Sequence, residues 1–212
     1  MLWTLIPAKP FAEAKQRLAG LLGPSERSAL AEALLARTVR AVRRAQGDQP
    51  VWVVAPDDSV TATALAAGAT GVFAARAAGL NAQLAEAAAE APAAAGVLVL
   101  HADLPLLRAQ DIVALVGRPG PVVIAPDRHG SGTNALLLAP PDVIHPSFGP
   151  GSRARHEQAA QTAQARWRVA HPRSLTLDVD TADDLAALRA ALDARAGGAA
   201  HTRGLLTRMD RR

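Results

Sequence analysis

The chain has 212 residues, half of them hydrophobic but only 3% aromatic, with a formal net charge of +4 and no cysteine. That length suits one α/β domain with a single substantial core, and the lack of cysteine excludes disulfides and thiolate metal sites. The arginine excess gathers in "ARTVRAVRR" and "HTRGLLTRMDRR" without interleaved aromatic rings, which favours a solvated helix face and a terminal tail over nucleic-acid binding.

The first apolar run, "LWTLI", reads as a strand that stops at Pro7, too short for a signal peptide. In "PSERSALAEALLARTVRAV" a proline and Ser25 precede an acidic first turn, and Leu30, Leu34, Leu35, Val39 and Val42 recur at helical spacing, predicting a helix from about Ser25. There follow a strand "VWVVA", a helix from about Ser59, a strand "GVFAA", a helix over 81–91, and a strand "GVLVL". A short helix is expected after Pro105, then strands "PVVIA" and "NALLLA", and a helix opened by Ser152 that contains His156. "LTLDVDTADDLAALRAALDARAGG" reads as a strand, an acidic turn, a Thr181 N-cap and a final helix ended by glycine. Residues 1–196 are expected to form one domain and 197–212 an Arg-rich disordered tail. Apolar runs without polar alternation imply strands covered on both faces, hence an α/β three-layer sandwich around a mainly parallel sheet. No apolar stretch is long enough to span a bilayer, so a cytoplasmic protein is expected.

In such a sheet, chemistry gathers beyond the carboxyl ends of the strands. The loops that follow strands there are "PAKPFAEAKQRLAG", "PDDS", "HADLP" and "PDRHGSGTN". No G-x-G-x-x-G, P-loop or H-E-x-x-H pattern occurs, and "HGSGTN" runs between two strands rather than from strand to helix, against a hydrolase elbow. "VLVLHADLP" delivers Asp103 at a strand's end, a place suited to hold Mg²⁺ beside substrate phosphates; the alternative is a turn former. Asp178 and Asp180, two residues apart, share a face and repel unless a cation or proton lies between them; the alternative is capping of the next helix.

The only two lysines among 23 Lys and Arg residues, Lys9 and Lys15, both lie in the loop after the first strand. Random placement gives that in roughly one arrangement in 250. Together with Arg17 they can bring point charges and a planar fork to a polyphosphate, unless they are solubilising surface charges. In "APDRHGSGTNALL" and "FGPGSRARH", Gly130, Gly132, Gly149 and Gly151 permit close backbone approach, and Thr133 and Ser152 add hydroxyls. Such loops can cradle a small anion, with Ser152 aiming a helix N-terminus at it; ordinary loop chemistry is the alternative for each alone.

"IPAKPFAEAKQRLA", "GLN" at 79–81, "HADLPLL", "APDRHGSGTNALLL", "FGPGSRARH" and "LDVDTADDL" together resemble the 2-phospho-L-lactate or phosphoenolpyruvate guanylyltransferases of coenzyme F-420 biosynthesis. The resemblance runs from Leu2 to about Leu188 and implies a nucleotide-diphospho-sugar-transferase-like (glycosyltransferase A type) fold. "IPAKP" stands where molybdenum-cofactor guanylyltransferases carry "LAGG", favouring the F-420 branch. It implies GMP transfer from GTP to a small phospho-acid with release of pyrophosphate, and hand-over of the product to the next enzyme. It matches Thr133, Gly149 and Ser152 to acceptor binding, Asp103 to the metal with Asp178 and Asp180 as second ligands, and the surroundings of Ala8 and Asn81 to guanine selection. His101 departs from the family, where proline is common, and no role is expected for its side chain. The alternatives are a nucleotidyltransferase for molybdopterin or a sugar phosphate, and a non-catalytic nucleotide-binding module.

Overall fold

A computed structural model describes residues 1–91, 94–194 and 204. The chain order is β1 (Leu2–Pro7), α1 (Pro24–Gln46), β2 (Val51–Val54), α2 (Asp58–Ala66), β3 (Gly71–Phe73), α3 (Leu80–Ala89) and β4 (Gly96–Leu100). It continues with α4 (Ala109–Val116), β5 (Val122–Pro126), β6 (Thr133–Leu138), α5 (Ser152–Thr162), β7 (Trp167–Val169) and α6 (Ala182–Asp193). The expected tail, 197–212, lies outside the described residues except for Gly204. Among the described residues no helix is long and apolar enough to cross a membrane.

The seven strands form one sheet in the order β3-β2-β1-β4-β6-β5-β7. Only β6 runs against its neighbours β4 and β5; the other pairings are parallel. Alternate residues of one strand feed opposite cores. Leu98 and Leu100 of β4 pack with residues of α1, α2 and α4, whereas Val97 and Val99 pack with α3 and α5. All four are 0–1% exposed, and burying each such side chain stabilises the fold by about 1.5–3 kcal/mol. A strand covered on both faces is apolar along most of its length, which is the reason β4 and β5 carry no polar alternation. Gly96 opens β4 because a Cβ there would lie 2.9 Å from the Leu138 carbonyl of β6.

Two expectations need correction, and one strand was not anticipated. α1 is capped at Gly23, not Ser25: Pro24 takes the first helical position, where its missing N–H costs nothing, and Glu26 accepts a hydrogen bond from the Gly23 N–H (2.8 Å). "LTLDVD" is not a strand. Its apolar alternation holds, with Leu175, Leu177 and Val179 buried, but it has no ladder partner; instead Asn134 Nδ2 of β6 donates to the carbonyls of Leu175 (2.9 Å) and Thr176 (3.3 Å). Finally β7 pairs with β5 although Trp167 is half-exposed, a three-residue edge strand with too little apolar pattern to read from sequence.

Candidate active site

β1 and β4 are parallel neighbours at the point where the strand order reverses, so their carboxyl ends open on one crevice. The loop after β1 folds as two 3-10 turns, Phe11–Glu13 and Gln16–Leu18, joined at Lys15 with φ 55° and ψ 35°. A left-handed conformation at a non-glycine residue costs about 1–2 kcal/mol. Two features offset it: Leu18 is fully buried against α1 and α6, and the turn drives the Lys15 side chain inward. There Nζ contacts Asp103 Oδ2 at 2.7 Å and Asp180 Oδ1 at 3.0 Å.

This cluster borders a cavity of about 430 Å³ lined by Ala8, Lys9, Lys15, His101, Asp103, Gly149 and Asp180, among others. Burial opposes the charge on Lys15, but Asp103 and Asp180 outweigh it and hold the ammonium above its ordinary value. Burial likewise works against the Asp103 carboxylate, and Lys15 overrides it, keeping that group below the usual range. Carboxylate oxygens of Asp103, Asp178 and Asp180 lie within 4.8 Å of one another. Burial and the Asp103 charge push Asp178 up to about 6. The ammonium thus pairs with two of the three carboxylates and leaves Asp178 without a cationic partner, and Asp103 Oδ1 is buried with no hydrogen-bond partner. A hard oxygen donor set with an orphaned carboxylate oxygen fits a divalent cation.

The two glycine loops meet at the start of α5. The Arg153 N–H donates to Ser131 O (3.2 Å), and Arg153 Nη1 to Gly130 O (3.3 Å). Arg155 braces the other loop through Ser147 O and Pro150 O. Gly149, at φ 118°, presents this loop to the cavity; a side chain there would be strained in that conformation. Behind it, Ser147 N–H donates to His156 Nε2 (2.9 Å), while His156 Nδ1 lies 3.1 Å from Thr133 Oγ1. Burial first, then Arg155 and His101, lower His156 to about 4. The ring is thus neutral at ordinary pH, carries its proton on Nδ1 and donates it to Thr133, leaving the threonine's own proton free to donate.

The structure brings Lys15, Asp103, Asp178 and Asp180 together and sets Ala8, Lys9 and Gly149 around the same cavity. Arg17 is exposed and does not line it. Thr133 and Ser152 are 2% exposed and lie outside the lining. Asn81 is engaged elsewhere: Nδ2 donates to Phe148 O (3.1 Å) and Oδ1 accepts from Phe148 N–H (2.6 Å), so it holds the loop that carries Gly149. The "PDDS" loop contributes no lining residue; Asp57 caps α2 by accepting from the Val60 N–H (2.9 Å).

Several residues escaped the sequence reading. Asn134 positions the Asp178 segment and also approaches Asp178 Oδ1 at 3.4 Å. Asp184 accepts from the N–H groups of Asp180 (3.1 Å) and Thr181 (2.8 Å) and pairs with Arg128 of the β5–β6 loop (2.7 Å). The T-x-x-D capping box was a visible signal for Asp184; nothing local marks Arg128 or Asn134. His101 lines the cavity with Nε2 buried and unpartnered.

A switch-point crevice with this carboxylate and ammonium cluster, on this sheet order, defines a nucleotidyltransferase-type fold. A solved structure of a putative nucleotide-diphospho-sugar transferase from Desulfovibrio desulfuricans superposes with a TM-score of 0.81 at 16% identity, over 99% of this chain and 95% of that one. The chain belongs to the guanylyl transferase CofC-like family, whose model matches residues 2–197. A phosphoenolpyruvate guanylyltransferase from Conexibacter woesei is 44% identical over 98% of this chain and 96% of its own length. A 3-phospho-D-glycerate guanylyltransferase from Phenylobacterium zucineum is 38% identical over 81% and 82% respectively. The protein is accordingly a nucleotidyltransferase of guanylyl type.

Proposed function

We propose that the chain transfers GMP from GTP to the phosphate of phosphoenolpyruvate, a step of coenzyme F-420 biosynthesis in the cytoplasm, with residues 1–196 as one catalytic domain. The observation that carries this reading is the Lys15–Asp103–Asp180 cluster on a cavity bordered by the Ala8–Lys9 segment, in a chain 44% identical to a phosphoenolpyruvate guanylyltransferase. A phosphate oxygen of the acid attacks the α-phosphorus of GTP. The bond from that phosphorus to the β-phosphate oxygen breaks, and pyrophosphate leaves with the electron pair. The nucleophile is already anionic, so the protein positions groups and neutralises charge, and no general base is required.

Lys15 and Lys9 would hold the triphosphate and the leaving pyrophosphate; Arg17, exposed and off the lining, carries the least of this role. Gly149, with Thr133 and Ser152 behind it, would receive the acid. Ala8 would contribute to guanine selection, and Asn81 would act through the loop it holds. Asp103, Asp178 and Asp180 would hold Mg²⁺, which when bound would supply charge neutralisation for the phosphates.

Asp178 gives this a pH signature. Its carboxyl, raised to about 6 in the folded protein, must lose its proton to ligate, so protons compete with metal below that pH. Affinity for Mn²⁺, read by electron paramagnetic resonance, is expected to fall as pH drops from 7 to 5, by up to about ten-fold per unit below the carboxyl's pKa. Asp178→Asn should flatten the profile. A pH-independent affinity would remove Asp178 from the donor set.

The decisive assay is pyrophosphate release with GTP, Mg²⁺ and each of phosphoenolpyruvate, 2-phospho-L-lactate and 3-phospho-D-glycerate, coupled to the next enzyme so that a labile product is handed on. Phosphoenolpyruvate is expected to give the highest kcat/KM. The relative with 3-phospho-D-glycerate in its name favours that acid as the second reading. Turnover only with a sugar phosphate, or GTP binding without pyrophosphate release, would refute the proposal.

A further inference from the structure

Two of the three clustered carboxylates, Asp178 and Asp180, belong to the segment 175–180, which has no ladder partner among the described residues to fix its main chain. Side chains hold it instead. Toward its start, Asn134 Nδ2 donates to the carbonyls of Leu175 (2.9 Å) and Thr176 (3.3 Å) and approaches Asp178 Oδ1 at 3.4 Å. At the far end, Asp184 Oδ2 accepts from the N–H groups of Asp180 (3.1 Å) and Thr181 (2.8 Å) and from the Thr181 hydroxyl (2.8 Å). The Thr181 contacts close the N-terminal cap of α6. The Asp180 contact reaches one residue further back, to the main chain of the carboxylate that meets Lys15 at 3.0 Å.

Asp184 can anchor that end only while its own carboxylate is held. Its side chain is 7% exposed, and its other oxygen, Oδ1, accepts from Arg128 Nε (2.8 Å) and Nη2 (2.7 Å). Arg128 stands in the β5–β6 turn, which Asp127 braces: its carboxylate accepts from the Ser131 N–H (3.0 Å) and its carbonyl from the Gly130 N–H (3.2 Å). A Cβ at Gly132 would lie 2.7 Å from Asp127 Oδ2, so the turn is closely packed on itself. The cap of α6 needs no cation, because three donors already satisfy Asp184 Oδ2. An ion pair spanning 56 positions in sequence adds something else, a tether from a braced turn to the segment that carries Asp178 and Asp180.

We propose that the Arg128–Asp184 pair is a positioning device that fixes the Asp180 carboxylate and so sets the affinity of the cluster for a divalent cation. The inference rests on the reading above of Asp103, Asp178 and Asp180 as a metal donor set. Neither Arg128 nor Asp184 lines the cavity, so the pair acts through the main chain of Asp180 rather than by touching the cation. The Asp180 side chain is 47% exposed, and its surroundings confine it less than this anchor does. Losing a partner that orients a metal-binding side chain typically costs about 10–100-fold in affinity. Charge alone predicts opposite signs for the two halves of the pair, since removing a nearby cation tightens a metal and removing a nearby anion loosens it. Positioning predicts a loss from both.

The test measures Mn²⁺ affinity by electron paramagnetic resonance for wild type, Arg128→Met, Asp184→Asn and Arg128→Lys, with a Tm for each. Arg128→Met and Asp184→Asn are each expected to weaken Mn²⁺ by about ten-fold. Arg128→Lys should stay within about three-fold of wild type, because an ammonium can still pair with Asp184 Oδ1. In an Asp180→Asn background Arg128→Met should cost nothing further, since the two changes act through one carboxylate. Arg128→Met leaves the cap of α6 its three donors and carries the test if Asp184→Asn unfolds the protein. Unchanged or tighter Mn²⁺ binding by Arg128→Met, whatever its Tm, or a full ten-fold loss on top of Asp180→Asn, would overturn the proposal alone. Wild-type protein that binds no Mn²⁺ would overturn the metal site and this role together. The measurement involves no phospho-acid, so the proposal and the choice of acceptor stand or fall separately.

Discussion

Asp103→Asn is expected to reduce Mg²⁺-dependent pyrophosphate release by about 10³-fold or more, the upper range for removing one preorganised charge from a transfer site. Asp103 carries two roles on two oxygens. Oδ2 accepts from Lys15 Nζ at 2.7 Å, and Oδ1 is buried without a hydrogen-bond partner. Asparagine keeps the size and can still accept from Lys15, but it removes a full charge from a set of three carboxylates. The remaining partner of Lys15, Asp180, is 47% exposed and so more screened by solvent than Asp103. The fold should survive, since the apolar strand that delivers Asp103 is untouched; a cooperative melt and unchanged circular dichroism check this. Near-normal turnover would remove the metal role from Asp103.

Lys15→Arg should lower kcat by about 10²-fold, although charge is conserved, because a guanidinium fork does not replace a point charge. The Lys15 side chain is 7% exposed, and its Nζ sits between two oxygens at 2.7 and 3.0 Å. A planar five-donor group requires more room than that gap provides. The residue's left-handed backbone adds a second constraint, because it sets the direction from which the side chain enters. Lys9→Arg is the control: Lys9 is exposed at the cavity wall, so a smaller loss is expected there. Equal kcat for wild type and Lys15→Arg would make the clustering of lysine in this loop an accident of composition.

The remaining unused basic surface belongs largely to α1, whose arginines serve structure where their contacts are visible. Arg27 Nη1 donates to Leu22 O (2.9 Å), Arg37 Nη2 to Leu107 O (3.1 Å) and Arg43 Nη1 to Gln49 O (3.2 Å). Each secures the end of a loop. That is the work of a guanidinium with several donors, and it explains why arginine suits these positions while lysine stands only in the loop after β1.

Strands β1, β2, β4, β5 and β6 were legible because each is covered on both faces and carries a run of apolar residues. α6 was legible because Thr181 and Asp184 satisfy each other's N–H groups within four residues. β7 was not, since its pairing with β5 supplies what its side chains do not. The segment 175–180 had the alternation of a strand but not the ladder, because alternation reports which face is buried and is silent on whether a neighbour is available to pair.

By itself, the amino-acid sequence determined the α/β layering, the loops in which chemistry gathers and the residue types suited to phosphate and metal, all of which follow from local periodicity and side-chain chemistry. Tertiary structure alone shows what Lys15 touches. Lys15 meets Asp103 across 88 positions and Asp180 across 165, and no local pattern encodes a contact made only when strands β1 and β4 lie side by side. The same packing turned Asn81 toward Phe148, left Arg17 outside the cavity and placed His101 within it. Burial and the placement of neighbouring charges, not residue identity, set what each of these side chains can do.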